Sequence, residues 1–95
     1  MPLKTRLWDP AEHLDSPKAI AAYLDAVMED GDPALFTAAL GDVARARGMT
    51  EIARESGLAR EALYRALSAE GKPEFTTVLK VMKALGVRLS SVPAE

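Results

Sequence analysis

The sequence predicts a small all-α domain, on three observations. A capping residue followed by Pro, the usual start of a helix, occurs at Asp9-Pro10, Ser16-Pro17 and Asp32-Pro33. Apolar residues return every three or four positions, the period of a helix face. The one stretch that alternates like a strand is Val87-Arg88-Leu89.

The elements follow in order. Ala11 to Leu14 has room for a single turn after Asp9-Pro10. After Ser16-Pro17, Ile20, Leu24, Val27 and Met28 mark an amphipathic helix that stops at Gly31. Asp32-Pro33 starts the next, with Phe36, Ala39, Leu40 and Val43 on its apolar face and Arg45 and Arg47 at its end before Gly48. Thr50 opens a short helix over 51–56, closed by Gly57, and a second short helix covers 60–67. A loop over 68–73 leads to the last stripe, Phe75, Val78, Leu79, Met82 and Leu85, stopped by Gly86. A strand at 87–89 is too short to stand alone, so if formed it pairs with the same strand of a second copy. The expected layout is one domain over 1–95: an arm at 1–15, a helical core at 16–86 and a tail at 87–95.

Composition narrows the function. A chain of 95 residues cannot hold a Rossmann enzyme or a TIM barrel, since it buries only roughly 60–65% of its unfolded surface. With no Cys, disulfide frameworks, Cys-type zinc sites and thiol nucleophiles are excluded, and His13 has no second His for a metal site or triad. Neither a phosphate-cradling Gly loop nor a metal-ligand cluster is visible, so the reading is a non-enzyme with no cofactor and no metal. No apolar run is long enough for a membrane span, and no apolar signal core follows Arg6, which predicts a cytoplasmic protein.

The net charge of −2 conceals an asymmetry. Residues 1–42 carry three Lys/Arg against eight Asp/Glu, a net of −5, and residues 43–95 carry nine against six, a net of +3. Two faces with different partners are expected.

The informative stretch is 49–68, which reads as a helix-turn-helix. Ala53 is small where two helices crossing at about 90–120° must approach, and Gly57 can take the positive φ that an abrupt turn requires. Ile52, Leu58, Leu63 and Ala66 form the buried side, leaving Arg60, Glu61, Tyr64, Arg65 and Ser68 outward. In a major-groove reader this outward face meets base edges: Arg bonds guanine bidentately, Tyr or Ser reaches bases or phosphates, and Glu accepts from cytosine. Arg54, Arg45, Arg47 and Lys72 are candidates for the phosphate backbone, and Thr50 is a further DNA-binding candidate. Arg45 and Arg47 serve equally well as partners of the helix dipole, and Lys80 and Lys83 read as a solvated face.

The residues also carry a family resemblance. The run Gly31-Asp32-Pro33-Ala34-Leu35-Phe36, then Ala39-Leu40-Gly41-Asp42-Val43-Ala44-Arg45-Ala46-Arg47-Gly48-Met49, then Ile52 through Leu67, with Gly71-Lys72-Pro73-Glu74-Phe75 and Lys83-Ala84-Leu85-Gly86, resembles the addiction-module antidote proteins. These are helix-turn-helix antitoxins of the phage-repressor (Xre/Cro-like) type, paired with RelE/ParE-like toxins. The likeness covers about residues 8–90. It implies a five-helix phage-repressor-like DNA-binding domain, a homodimer, neutralisation of a cognate toxin, and autorepression of the toxin–antitoxin operon through operator DNA. The sequence departs from the pattern at Ser56, where an apolar residue is usual, and at Ala59, where Ser or Thr often caps. The connection from Arg47 to Ile52 is about one residue shorter than usual.

For the toxin-facing surface the candidates are Asp25, Glu29, Asp30 and Asp32, with Leu7 and Trp8 as apolar anchors. A solvated helix end is the alternative account of the acids, and cover for a small core is the alternative account of Trp8. Two other readings remain open: a phage-type transcriptional regulator with no toxin partner, and a toxin-binding module whose helix-turn-helix has lost DNA affinity.

Overall fold

The structure, a computed structural model, describes residues 15–68 and 70–94. Within them lie five helices and no strand: α1 (Pro17–Met28), α2 (Pro33–Arg47), α3 (Met49–Ser56), α4 (Arg60–Ala66) and α5 (Phe75–Ala84). The turn expected at 11–14 and the anchors Leu7 and Trp8 lie outside the described residues.

Two of the sequence-level caps form as hydrogen bonds. The Ser16 Oγ accepts from the Ala19 amide at 3.2 Å, and the Asp32 Oδ1 accepts from the Ala34 and Leu35 amides at 3.0 and 3.4 Å. Each satisfies amide donors that a helix N-terminus otherwise leaves to water. Asp32, one of the acids considered for a partner surface, therefore has a local structural role.

Gly48 does more than follow a helix. With φ 106° it ends α2 and is also the N-cap residue of α3, which begins at Met49 rather than after Thr50. Only one residue separates the two helices.

Helix α3 lies at the centre, packed against α2, α4 and α5, and α1 packs on α2. The buried set joins all five helices: Ile20 and Leu24, Leu40 and Val43, Met49 and Ile52, Leu63, and Val81 and Met82, with Leu67 and Leu85 just past the ends of α4 and α5. Truncating a fully buried Leu such as Leu40 or Leu63 to Ala should cost roughly 2–5 kcal/mol through lost transfer energy and the cavity left behind. No buried side-chain polar atom among the described residues lacks a partner.

The apolar face of α5 departs from expectation. Phe75 is 63% exposed and Leu79 is 38% exposed, whereas Val81, absent from the expected stripe, is fully buried. The helix turns Val78, Val81, Met82 and Leu85 toward the core, so Phe75 and Leu79, four residues apart, fall on its flank.

The strand considered at 87–89, which would need a second copy to pair with, does not form within this one chain. At the end of α5, Gly86 adopts φ 84°, its amide donates to the Lys83 carbonyl, and the Val87 amide donates to the Met82 carbonyl, each at 3.0 Å. This is a Schellman stop. It uses the Val87 amide and folds Val87 back onto the core, leaving the segment after it as coil with no strand beside it in the chain.

Candidate nucleic-acid interface

Helices α3 and α4 are joined by Gly57, Leu58 and Ala59. Gly57 takes the left-handed conformation, φ 78° and ψ 12°, and its amide donates to the Ala53 carbonyl. The hydroxyl of Ser56 laces this turn: it donates to the Ala53 carbonyl at 3.4 Å and accepts from the Leu58 amide at 3.3 Å. A polar residue thus fits where the sequence resemblance implied an apolar one, because its partners lie in the turn itself. Ala59 stands at the N-cap of α4 with no side-chain cap.

On α4, Leu63 faces the core with no exposed surface, while Arg60, Glu61, Tyr64 and Arg65 are exposed. That division is the one expected from the spacing. Leu58 and Ala66, expected on the buried side, are half-buried. The Arg60 guanidinium lies over the Tyr64 ring, 5.5 Å from its centroid. Such a cation–π contact at an exposed site contributes about 0.5–1 kcal/mol and orients the guanidinium.

Ser68 lies past the end of α4, which stops at Ala66, and its hydroxyl donates to the Arg65 carbonyl at 2.9 Å. The chain then returns close to the helix. A Cβ on Gly71 would collide with the Ala66 carbonyl, so only Gly permits this approach. The result is a shallow depression lined by Arg65, Ser68 and Lys72, with Glu70 on its wall. The structure therefore gathers three of the sequence candidates in one place.

Arg54 is less free than its position implied. It forms an ion pair with Glu51 at i, i+3 on α3. The hydrogen bond from Arg54 holds the Glu51 carboxyl below the usual carboxylate range, with Glu55 and the charge of Arg54 acting in the same direction. Arg54 is raised in turn, first by its hydrogen bond to Glu51. Arg45 is held by Asp42 at 2.9 Å. Thr50 is exposed in the first turn of α3. Asp25, Glu29 and Asp30 are exposed along and just after α1, at a distance in sequence from the α3–α4 pair.

One feature was not legible in the residues: an apolar groove of about 610 Å³ between the start of α2 and the start of α5. Its only sequence signal was the presence of more apolar residues in the last stripe than a single core-facing row requires.

No helix among the described residues is long and apolar enough to cross a membrane. No group of His, Cys, Asp or Glu among them is placed to hold a metal ion.

The described residues form a bundle of short helices that exposes two arginines and a tyrosine on α4. Residues 4–93 match the family described as "probable addiction module antidote protein". The chain belongs to this family of addiction-module antidote proteins. It is also 51% identical over 81 residues to an uncharacterized protein of Haemophilus influenzae, an alignment covering 85% of this chain and 84% of that protein. No solved structure matches it.

Proposed function

We propose that the protein is a cytoplasmic antitoxin that binds and neutralises a cognate toxin of the RelE/ParE type. In the same reading it binds operator DNA as a homodimer and autorepresses its operon. Helices α3 and α4 act as a helix-turn-helix of phage-repressor type, with α4 in the major groove.

The observation that carries the DNA reading is the outward face of α4. Arg60, Tyr64 and Arg65 are exposed on a helix whose opposite side is anchored by fully buried Leu63. In this reading Arg60 and Arg65 offer bidentate donors to guanine, Glu61 accepts from cytosine, and Thr50, Arg54, Ser68 and Lys72 are the further DNA-contacting residues. Two copies would place their α4 helices about 34 Å apart on a near-palindrome. On the toxin side, Asp25, Glu29 and Asp30 supply charge for a basic partner. Family membership is what supports a toxin partner.

Two experiments test this. In a gel shift on the protein's own promoter, Arg60→Ala and Arg65→Ala should each weaken specific binding by about 1–3 kcal/mol, and Arg54→Ala should weaken binding to all sequences alike. Unchanged promoter affinity in the first two would overturn the assignment of α4. Co-expression with the protein encoded next to it tests the toxin partner, and failure to co-purify would favour a regulator without one.

A further inference from the structure

The apolar groove is walled by Met28 at the end of α1, Pro33 and Phe36 at the start of α2, and Phe75 and Val78 of α5, with Leu89 from the tail. Phe75 is 63% exposed, Leu89 40% and Met28 37%, so large apolar side chains face solvent here. Met28 and Leu89 also line an adjoining depression of about 360 Å³ that reaches Leu24 and Met82. The two share Met28 and Leu89 and run across α1, α2, α5 and the tail, with Asp25 and Arg88 also lining the second.

Its surroundings are acidic. Glu70 lines the groove, Glu29 and Asp30 follow Met28, Asp32 precedes Pro33, and Glu74 sits between Pro73 and Phe75. Against these five acids stand two cations counted in the same way, Lys72 in the groove and Arg88 beside Leu89. An acidic rim repels a nucleic-acid backbone. A second copy of this chain is a poorer electrostatic fit than a basic partner, because the acids of each patch would have only Lys72 and Arg88 of the other to pair with.

We propose that this groove is the toxin-docking surface, and that it receives an apolar segment of the toxin flanked by Lys or Arg. This rests on the antitoxin reading above and adds where the toxin sits and what recognises it. Phe75 is the central anchor: an aromatic side chain already exposed gains the most from burial at an interface. Glu29 and Asp30 steer the basic flanks and set the ionic-strength dependence of association. No residue of α4 lines this groove, but Lys72 lines both it and the depression beside Arg65 and Ser68, so the toxin and operator surfaces meet at that one residue.

The test is calorimetric binding of the full-length chain to the purified toxin, expressed from the adjoining reading frame, alongside operator binding by anisotropy. Phe75→Ala should weaken toxin binding more than tenfold, and Glu29→Lys with Asp30→Lys should weaken it and flatten its dependence on ionic strength. Operator affinity and the thermal unfolding midpoint of Phe75→Ala should stay at wild-type values. If the toxin binds wild type and Phe75→Ala equally, the docking inference falls while the antitoxin reading stands. If it binds neither, the antitoxin reading itself falls. Dissociation of a wild-type dimer into monomers by Phe75→Ala would assign the groove to a second copy and overturn the inference as well.

Discussion

The Arg60 guanidinium lies 5.5 Å from the centroid of the Tyr64 ring, one turn further along α4. On an exposed face, a flexible Arg would otherwise sample many rotamers. The ring restricts it, and a restricted guanidinium gives up less entropy when it pairs with a base edge.

Tyr64→Phe should therefore leave operator affinity near wild type, while Tyr64→Ala should weaken it by about 0.5–1 kcal/mol. Arg60→Ala should cost about 1–3 kcal/mol and relax base preference at one position. In an anisotropy titration at fixed salt, Tyr64→Ala should add nothing in an Arg60→Ala background. Additive losses in the double variant would show that Tyr64 acts on DNA by itself rather than through Arg60.

The ion pair of Arg54 with Glu51 competes with any phosphate for the same guanidinium. Glu51→Gln should raise DNA affinity and steepen its logarithmic salt dependence by about one unit, as one more phosphate contact becomes effective. The pair also has a pH signature. The folded-state pKa of Glu51 lies below its unfolded value, so its contribution to stability is present above the unfolded pKa and is lost as pH falls through the lower folded one. Acid unfolding of Glu51→Gln should lack that component.

Gly41 is buried in the middle of α2, where a Cβ would fall 2.6 Å from the Leu67 carbonyl oxygen. Replacing Gly by Ala inside a helix usually stabilises by about 1 kcal/mol. Here the collision is with backbone, so Gly41→Ala should destabilise by about 1–3 kcal/mol in urea unfolding. A gain in stability would mean that α2 and the end of α4 are not in close contact.

Asp32 distinguishes capping from charge. Asp32→Ala should lower stability by about 0.5–2 kcal/mol because the Ala34 and Leu35 amides lose their acceptor. Asp32→Asn keeps an acceptor while removing the charge, and should unfold near the wild-type midpoint. Equal losses in both variants would point to the charge.

Local chemistry was legible where its cause lies within a few residues. Ser16-Pro17 and Asp32-Pro33 start helices because cap and Pro act over a single turn. The division of α4 into buried Leu63 and exposed Arg60, Glu61, Tyr64 and Arg65 follows from a 3.6-residue period. Gly57 as the turn residue follows from its freedom at positive φ. What could not be read locally was any choice among equivalent apolar positions, or among equivalent partners for a charge.

The sequence by itself determined that this is an all-α chain with a tight turn between two short helices and cations beside it. Each of those features depends on backbone preference or on helical period. Only the tertiary structure decided which side of α5 faces inward, leaving Phe75 outside and Val81 within. It also decided that Gly41 and Gly71 are points of backbone approach, that Arg54 is held by Glu51, and that α1, α2 and α5 leave an apolar groove beside acidic residues. These outcomes depend on how helices distant in sequence pack against one another, and close packing selects one arrangement from several that the same apolar pattern permits.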